Sequence, residues 1–459
     1  MKLIDLNPEG GIGANSLFLE IGAFNVVVDA GLNPKLVGLP ALPDYRLVRD
    51  EKIDFVLITH CHLDHLGSLP VLLREHPEAQ VLMSVPSMAL AERMLRNSCN
   101  VMRRQREEFN LPELPLFTHR DVDKIVTQFY PMTYSRTSTF DKGEEELEIT
   151  FFPAGHVAGA GGIELRHNGK KIFFTGDVLF TPQKILPGAN FPERHVDTLV
   201  IETTRGAQER PEGVDRTSEV QRLLGKIREI VDGGGSCLIP VFALGRMQEV
   251  LSILHEAREK GQIPETQIYC SGLGMDLADY FDKISKKTGL IDFRREILKE
   301  LKVQPMPRNL KPGRNPKENA IYVMSSGMLV KNTPSYQVAA SLLGHEGNAI
   351  YYVGYCDPDT PGGKMLETEP GDSFVFEAFD FSTKIRAEVE QFQLSGHAER
   401  SEIVEFVLAV DPRLVILTHG DEPAREWFEE EINRLAPEIE VLDPEPLKEY
   451  SLFETANRR

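Results

Sequence analysis

Cysteine is scarce in this sequence, and its pattern excludes a disulfide-stabilised fold. Only 5 cysteines occur among 459 residues, at positions 61, 99, 237, 270 and 356. They are odd in number and far apart, whereas disulfide frameworks use even sets at short spacings. We therefore expect buried, reduced thiols and a protein of the cytoplasm.

Long apolar runs are also missing. No stretch approaches the roughly 20 apolar residues that a membrane-spanning helix needs. The amino-terminal segment MKLIDLNPEGGIGANS lacks the apolar core of a signal peptide. The sequence therefore predicts no membrane partner.

Positive charge is in deficit. Lysine and arginine total 51 against 70 aspartate and glutamate, which gives a formal net charge of −19. Such a surface repels polyanions at long range. This composition excludes a broad basic surface, so any nucleic-acid function must depend on a local positive site.

The length and the hydrophobic pattern predict two or three domains, or one large domain with an insertion. A chain of 459 residues is too long for one ordinary core. Up to Thr204 the pattern predicts short strands, including a hairpin over NSLFLEIGAFNVVVDAG. Beyond Thr204 strands alternate with helices, which is typical of parallel βα units. The strand pattern returns near Glu388.

A cluster of metal-ligand residue types follows one predicted strand. In VLITHCHLDHLGS the strand ends at Thr59, and His60, His62, Asp64 and His65 come directly after it. This is more than one tetrahedral zinc with an open position can use, and it suits two metals that share a site. The simpler alternative is a polar loop in which an aspartate caps a helix.

Four other strands end in residues that could join this cluster. These residues are Asp29 in NVVVD, His156 in ITFFPAGH, Asp177 in KIFFTGD and His419 in LVILTH. Each is unremarkable alone. Because each lies where a strand ends, all could meet at one sheet edge and complete a ligand set for two metals.

The sequence contains the motifs DAG, HCHLDH, GHVAGAGG, TGD, VIETT, SGHAER and LTHGD, together with the segment PVFALGRMQE. These motifs resemble those of metallo-β-lactamase-fold hydrolases of the β-CASP group, in which the last segment resembles the insert signature. The group includes the cleavage-and-polyadenylation-specificity-type endonuclease, its archaeal and bacterial relatives and ribonuclease J. The resemblance implies an α/β fold, an αββα metallo-β-lactamase sandwich with an inserted parallel-sheet α/β domain. It implies sandwich parts at 1–205 and 393–459, the latter with the RNA-specificity motifs, and a β-CASP domain at 206–392.

The resemblance also implies roles for individual residues. The first zinc would be held by His60, His62 and His156, the second by Asp64, His65 and His419, and Asp177 would bridge both. Asp29 would hold the loop that carries the first motif. Glu202 and His397 would form a pair in which His397 is the general acid.

The implied activity is hydrolysis of phosphodiester bonds in single-stranded RNA. A hydroxide bridging two zincs would attack phosphorus and leave 5′-phosphate and 3′-OH products. His419 indicates RNA, because the DNA-repair branch usually lacks this histidine. Endonuclease action is expected, and added 5′-3′ exonuclease action stays open. Alternatives are a hydrolase of DNA or a small ester and a non-cleaving RNA-binding scaffold.

Candidate substrate-binding residues lie mainly in the insert. They are Ser325, Ser326 and Gly327 after a strand, Arg246 at a helix start, and Ser395 beside the expected acid. A tight turn, a capped helix or an internal salt bridge explains each equally well. One departure from many relatives is ETTRG, where they carry a tyrosine. Manganese or iron in place of zinc, and a homodimer, stay open.

Overall fold

The computed structural model describes residues 1–211, 213–316 and 319–452. The first part of the chain forms eleven strands and four helices. The strands are β1 (Lys2–Asp5), β2 (Leu17–Ile21), β3 (Phe24–Val28), β4 (Phe55–Ile58), β5 (Gln80–Ser84), β6 (Phe129–Met132), β7 (Ser138–Lys142), β8 (Glu145–Pro153), β9 (Gly161–His167), β10 (Lys170–Phe174) and β11 (Thr198–Glu202). The helices are α1 (Leu63–Leu66), α2 (Leu69–Glu75), α3 (Val85–Phe109) and α4 (His119–Ile125).

The middle of the chain alternates strands with helices, as predicted. Its strands are β12 (Cys237–Pro240), β13 (Gln267–Ser271), β14 (Gln304–Pro305), β15 (Ala320–Met324), β16 (Ala349–Val353), β17 (Ser373–Phe376), β18 (Phe381–Lys384) and β19 (Glu388–Phe392). Its helices are α5 (Arg216–Asp232), α6 (Arg246–Glu259), α7 (Leu273–Thr288), α8 (Glu296–Glu300), α9 (Pro334–Leu342) and α10 (Pro361–Leu366).

The last part adds two helices and three strands. They are α11 (Arg400–Val410), β20 (Leu414–Thr418), α12 (Glu422–Leu435), β21 (Glu440–Leu442) and β22 (Glu449–Ser451). The chain divides into two compact units. Unit 1 consists of Met1–Pro182, Gly188–Glu209 and His397–Arg459, and unit 2 of Gln183–Pro187 and Arg210–Gly396. The predicted domain boundaries at 205/206 and 392/393 stay predictions.

Unit 1 contains two seven-stranded sheets that enclose one core. The first has the order β22-β1-β2-β3-β4-β5-β6 and the second β21-β20-β11-β10-β9-β8-β7. Buried side chains from both sheets form a single cluster, for example Leu19, Val26 and Leu57 with Phe151, Ile163 and Val200. Helix α3 packs on β5 and β6, and α12 packs on β20 and β21. The predicted αββα sandwich is confirmed.

Unit 2 contains a parallel sheet, as expected for the insert. Its six strands have the order β14-β13-β15-β12-β16-β19, and every neighbouring pair is parallel. A separate antiparallel hairpin joins β17 and β18. The core strands β12, β15 and β16 are buried along their whole length. Both faces of these strands are covered, which explains why their sequences are continuous apolar runs rather than alternating patterns.

Two expectations from composition can be compared with the structure. All five cysteines are buried and free, which confirms the absence of a disulfide framework. Among the described residues, none of the helices combines the length and apolar character needed to cross a bilayer.

Candidate metal centre

The carboxyl ends of neighbouring parallel strands position the candidate residues. In the first sheet, β3 and β4 are parallel neighbours, and Asp29 and His60 follow them. In the second sheet, β10, β11 and β20 are parallel neighbours. Asp177 follows β10, Glu202 ends β11 and His419 follows β20. The topology therefore brings together residues that are far apart in sequence.

Asp29 fixes the loop that carries the first motif. Its carboxylate accepts hydrogen bonds from the Thr59 backbone N–H and hydroxyl, both at 2.8 Å. The same carboxylate lies 2.7 Å from Nδ1 of His65. Asp29 has a left-handed backbone with φ 63°, a conformation that costs a non-glycine residue free energy. Both ends of the motif are thus anchored to one buried carboxylate.

Three imidazoles form the first candidate ligand group. Nδ1 of His62 lies 3.1 Å from Nε2 of His60 and 3.1 Å from Nε2 of His156. Ligand atoms about 2.0–2.1 Å from one tetrahedral zinc are about 3.3 Å apart, so these separations fit a shared ion. The three residues could hold a metal ion.

A second group contains two imidazoles and a carboxylate. Nε2 of His65 lies 3.4 Å from Nε2 of His419, and Oδ2 of Asp64 lies 3.5 Å from the same His419 nitrogen. His65 and Asp64 are 3.7 Å apart through Nε2 and Oδ2. This group also has the residue types and spacing of a metal site.

Asp177 lies between the two groups. Its Oδ2 is 3.7 Å from Nε2 of His60 and 3.7 Å from Nε2 of His156. Its Oδ1 is 3.5 Å from Nε2 of His65 and 3.3 Å from Nδ1 of His419. The buried Oδ1 has no hydrogen-bond partner. An orphaned carboxylate oxygen among imidazoles is costly unless a cation accompanies it, so the donor set fits two metal ions.

His419 is oriented by a neighbour on β11's loop. Its backbone is left-handed, with φ 50°. The Thr204 hydroxyl lies 2.9 Å from Nδ1 of His419, and the Thr203 N–H donates to the His419 carbonyl at 3.2 Å. The loops after β11 and β20 therefore hold this ring as a unit.

Glu202 and His397 form a pair beside the two groups. Nδ1 of His397 lies 2.9 and 3.0 Å from the two carboxylate oxygens of Glu202. Oε1 of Glu202 also accepts the Val178 backbone N–H at 2.7 Å. The His397 ring centroid is 4.5 Å from that of His156. An imidazole and its carboxylate partner thus lie against the candidate metal ligands.

The electrostatics match these positions. Burial, with the neighbouring His65, holds the pKa of His60 well below its usual value, so that ring is neutral and can ligate. Burial raises the pKa of the Asp177 carboxyl, but His419 and His65 outweigh it and hold the pKa well below the usual range. Burial lowers the pKa of His397, yet the Glu202 carboxylate outweighs it and the net pKa is raised.

Comparison with protein families supports the same interpretation. Residues 10–224 match the metallo-beta-lactamase superfamily, residues 247–365 the Beta-Casp domain, and residues 382–442 the Zn-dependent metallo-hydrolase RNA specificity domain. The chain belongs to the β-CASP metallo-hydrolase family. The last matched segment contains both His397 and His419.

Two relatives and one solved structure describe what this β-CASP chain is similar to. Integrator complex subunit 11 of Danio rerio is 25% identical over 95% of this chain and 71% of its own length. Probable RNase MJ4 of Methanocaldococcus jannaschii is 27% identical over 92% of this chain and 94% of its own. A crystal structure of a protein of unknown function from Enterococcus faecalis V583 matches the fold at TM-score 0.54, with 13% identity, 98% of this chain and 99% of that chain covered.

The five predicted substrate-binding residues all belong to unit 2. Ser325, Ser326 and Gly327 follow β15, and the Ser326 hydroxyl accepts the Val330 N–H at 2.9 Å. Arg246 begins α6, and burial with the nearby Arg216 lowers its pKa to about 9. Their binding role stays a prediction. The Ser395 carbonyl accepts a hydrogen bond from Arg216 at 3.0 Å.

Sequence reasoning missed several residues that hold the centre in place. Thr59 binds Asp29, Thr204 contacts His419, and the Asn15 side chain donates to the Asp64 carbonyl at 3.0 Å. Thr59 directly precedes His60, and Thr204 lies two residues after Glu202, which is a usable signal. Asn15 lies far from them in sequence, and nothing in its local pattern indicates the contact.

Proposed function

We propose that this β-CASP chain is a zinc-dependent ribonuclease that cleaves single-stranded RNA internally. The observation that carries the proposal is Asp177, whose two oxygens face two separate groups of metal-ligand residues. The name of the archaeal relative, Probable RNase MJ4, and the match to an RNA specificity domain support RNA as the substrate. Whether the protein also acts as a 5′-3′ exonuclease stays open.

Seven side chains would hold the metal pair. His60, His62 and His156 would bind the first ion, Asp64, His65 and His419 the second, and Asp177 both. When bound, two zinc ions lower the pKa of water toward about 7 and stabilise the charge of the phosphate. Asp29 holds the His65 ring so that Nε2 faces inward. Manganese or iron would suit the same mixed nitrogen and oxygen donors.

His397 would be the general acid. The bond between phosphorus and the 3′ oxygen breaks, and that oxygen needs a proton to leave as a hydroxyl. Glu202 holds the His397 ring through Nδ1 and raises its pKa, which keeps the imidazolium populated near neutral pH. Water supplies the new oxygen on phosphorus, so the products carry 5′-phosphate and 3′-OH.

Five further residues would contribute substrate contacts. The loop Ser325, Ser326 and Gly327 and the residues Arg246 and Ser395 are proposed to bind the RNA backbone. Arg246 supports this role because its buried Nη1 has no hydrogen-bond partner. A phosphate oxygen would satisfy that donor. Homodimer formation and a cytoplasmic location stay predictions from the sequence.

The test uses one RNA labelled at either the 5′ or the 3′ end, with a DNA of the same sequence as control. We expect internal cuts in RNA, little cleavage of DNA, and complete loss of activity with a chelator. Cleavage that resists the chelator, or a preference for DNA, would refute the proposal. Binding of RNA without any cleavage would favour the scaffold alternative.

A further inference from the structure

A buried ion pair, Arg205 with Glu399, joins the same two chain segments as the Glu202–His397 pair. We propose that this second pair is a positioning device that fixes His397 for proton transfer, an inference that rests on the proposed ribonuclease function. Arg205 and Glu399 touch no substrate atom in this account. They act through the segments that carry Glu202 and His397.

Burial distinguishes this pair from an ordinary surface salt bridge. The Arg205 side chain is 2% exposed and that of Glu399 10%. A buried ion pair repays its desolvation cost only when the geometry is good, so it is weak support for stability by itself. Such a pair directly beside an imidazole–carboxylate pair is therefore better explained by the placement of that neighbour.

Each of the two segments contributes one glutamate, and the two glutamates belong to different pairs. In the segment that begins at the last residue of β11, Glu202 supplies an anion and Arg205 a cation. In the segment before α11, His397 supplies the imidazole partner of Glu202, and Glu399 supplies the anion that pairs with Arg205. Sliding one segment along the other would break both pairs at once and bring like charges together. The arrangement thus specifies one register of the two segments.

A backbone anchor holds the other side of the same site. The Val178 N–H donates to Glu202 at 2.7 Å, and the Val178 carbonyl accepts the Ala398 N–H at 2.7 Å. His397 directly precedes the anchored residue Ala398 and lies two residues before Glu399. Loss of the ion pair would leave the anchor intact, so we expect a looser His397 rather than an unfolded unit.

A related contact lies one residue further on. The Arg400 guanidinium donates to the Gly206 carbonyl at 3.1 Å and to Glu209 at 2.7 Å. It also lies 4.2 Å from the centroid of the Trp427 ring. This contact links the same two segments, but it lies one residue further from His397 than the Arg205–Glu399 pair does.

The experiment compares three variants at this pair with a control at an exposed arginine. Arg205→Met removes the cation, Arg205→Lys keeps it, and Arg205→Met/Glu399→Gln removes both charges. Arg194→Met is the control, since Arg194 pairs at 2.8 Å with Glu164, another buried glutamate of unit 1. Each protein is assayed on RNA and on bis(p-nitrophenyl) phosphate, whose leaving group departs without a proton.

We expect a substrate-dependent loss. Arg205→Met should lower kcat on RNA about 10- to 100-fold with KM and zinc content unchanged, because small misplacements of a catalytic group have effects of this size. Activity on bis(p-nitrophenyl) phosphate should stay near wild type. Arg205→Lys should recover most of the RNA activity. The double variant should regain thermal stability yet remain slow on RNA.

A second measurement does not depend on activity. An imidazole N–H that is hydrogen-bonded to a carboxylate gives a downfield proton resonance. The resonance that disappears in His397→Ala is thereby assigned to His397. The His65–Asp29 contact supplies an internal reference of the same type. In Arg205→Met we expect the His397 resonance to broaden through exchange while the His65 resonance persists.

Three results would overturn the positioning role. These are equal losses on both substrates, RNA activity restored in the double variant, and an unchanged His397 resonance in Arg205→Met. A wild-type protein that fails to cleave RNA would instead refute the proposed function. In that case the resonance still reports whether the ion pair fixes the ring, so the two failures are distinguishable.

Discussion

His397 pairs with Glu202 and also packs against the His156 ring, and the proposed assignment makes it a proton donor and not a ligand. Replacing His397 with alanine should therefore reduce RNA cleavage by about 10²- to 10⁴-fold, the usual contribution of a general acid. Zinc content should not change. Elemental analysis and rate measurements on the same preparation check this. His345→Ala, at a half-buried histidine of unit 2, is the control. Loss of zinc in His397→Ala would mean that its role is misassigned.

Asp5, at the end of β1, gives a prediction about stability and pH. Burial raises the pKa of its carboxyl to about 7, despite the Asn7 N–H and Arg425. The folded-state pKa of Asp5 lies above its unfolded value near 4. The stability that this carboxyl contributes is therefore present below about pH 4 and is lost as the pH rises to 7. Asp5→Asn should thus stabilise the metal-free protein by about 1–3 kcal/mol at pH 8 and hardly at pH 4.5.

Unfolding in urea with chelator present measures this effect. Asp44→Asn is the control, because the pKa of Asp44 is shifted in the opposite direction from that of Asp5. The hydrogen bond from Arg46 outweighs burial and lowers the pKa of Asp44. That substitution should destabilise about equally at pH 8 and pH 4.5, because the contribution of Asp44 is lost only when the pH falls below its unfolded pKa near 4. An Asp5→Asn variant that is less stable than wild type at pH 8 would contradict the burial argument.

At the scale of elements, the positions of the site residues are set by the ends of strands. Gly31 follows β3 and lies so close to the metal-motif loop that an added Cβ would be 1.7 Å from the Asp64 carbonyl oxygen. Gly31→Ala must displace Asp64, so we expect weaker metal binding and about 1–3 kcal/mol lower stability. Metal titration and urea unfolding check both effects.

Gly225 provides the control for that substitution. It lies inside α5 with open space around the Cβ position, so Gly225→Ala should stabilise by about 0.5–1 kcal/mol and leave metal binding unchanged. Wild-type metal affinity in Gly31→Ala would contradict the proposed dependence of Asp64 on this close approach.

The elements themselves follow from local pattern, whereas their contacts do not. Alternating apolar residues predict the β2–β3 hairpin, and buried runs predict the parallel strands of unit 2. The position of ligand-type residues at strand ends indicates the centre. The left-handed backbones of Asp29 and His419 and the Arg205–Glu399 pair are tertiary features. No local pattern specifies them, because each depends on segments distant in sequence.

At the scale of the whole molecule, the chain is acidic, and the centre would have the opposite charge once two metal ions are bound. The chain carries a net charge of −19, which repels RNA at long range. Two divalent ions against the carboxylates of Asp64 and Asp177 would leave the site locally positive. RNA association should therefore depend on bound metal, and filter binding with and without chelator tests this dependence. Equal RNA affinity in both states would contradict it.

Metal binding should also stabilise unit 1 as a folded body. A ligand present at 100 times its Kd stabilises the folded state by about 2.7 kcal/mol, so zinc should raise the unfolding transition of the metal-free protein. Scanning calorimetry measures this shift. Asp177→Asn should reduce it strongly, because Asp177 faces both ligand groups. A shift of equal size in this variant would place the metal elsewhere.

The central claim is that seven side chains of unit 1 hold two metal ions around Asp177. Elemental analysis of the zinc-reconstituted protein, after removal of loosely bound metal, tests it most directly. We predict about two equivalents of zinc per chain in the wild type and clear loss of both in Asp177→Ala. One equivalent or fewer in the wild type, or two retained in Asp177→Ala, would contradict the account.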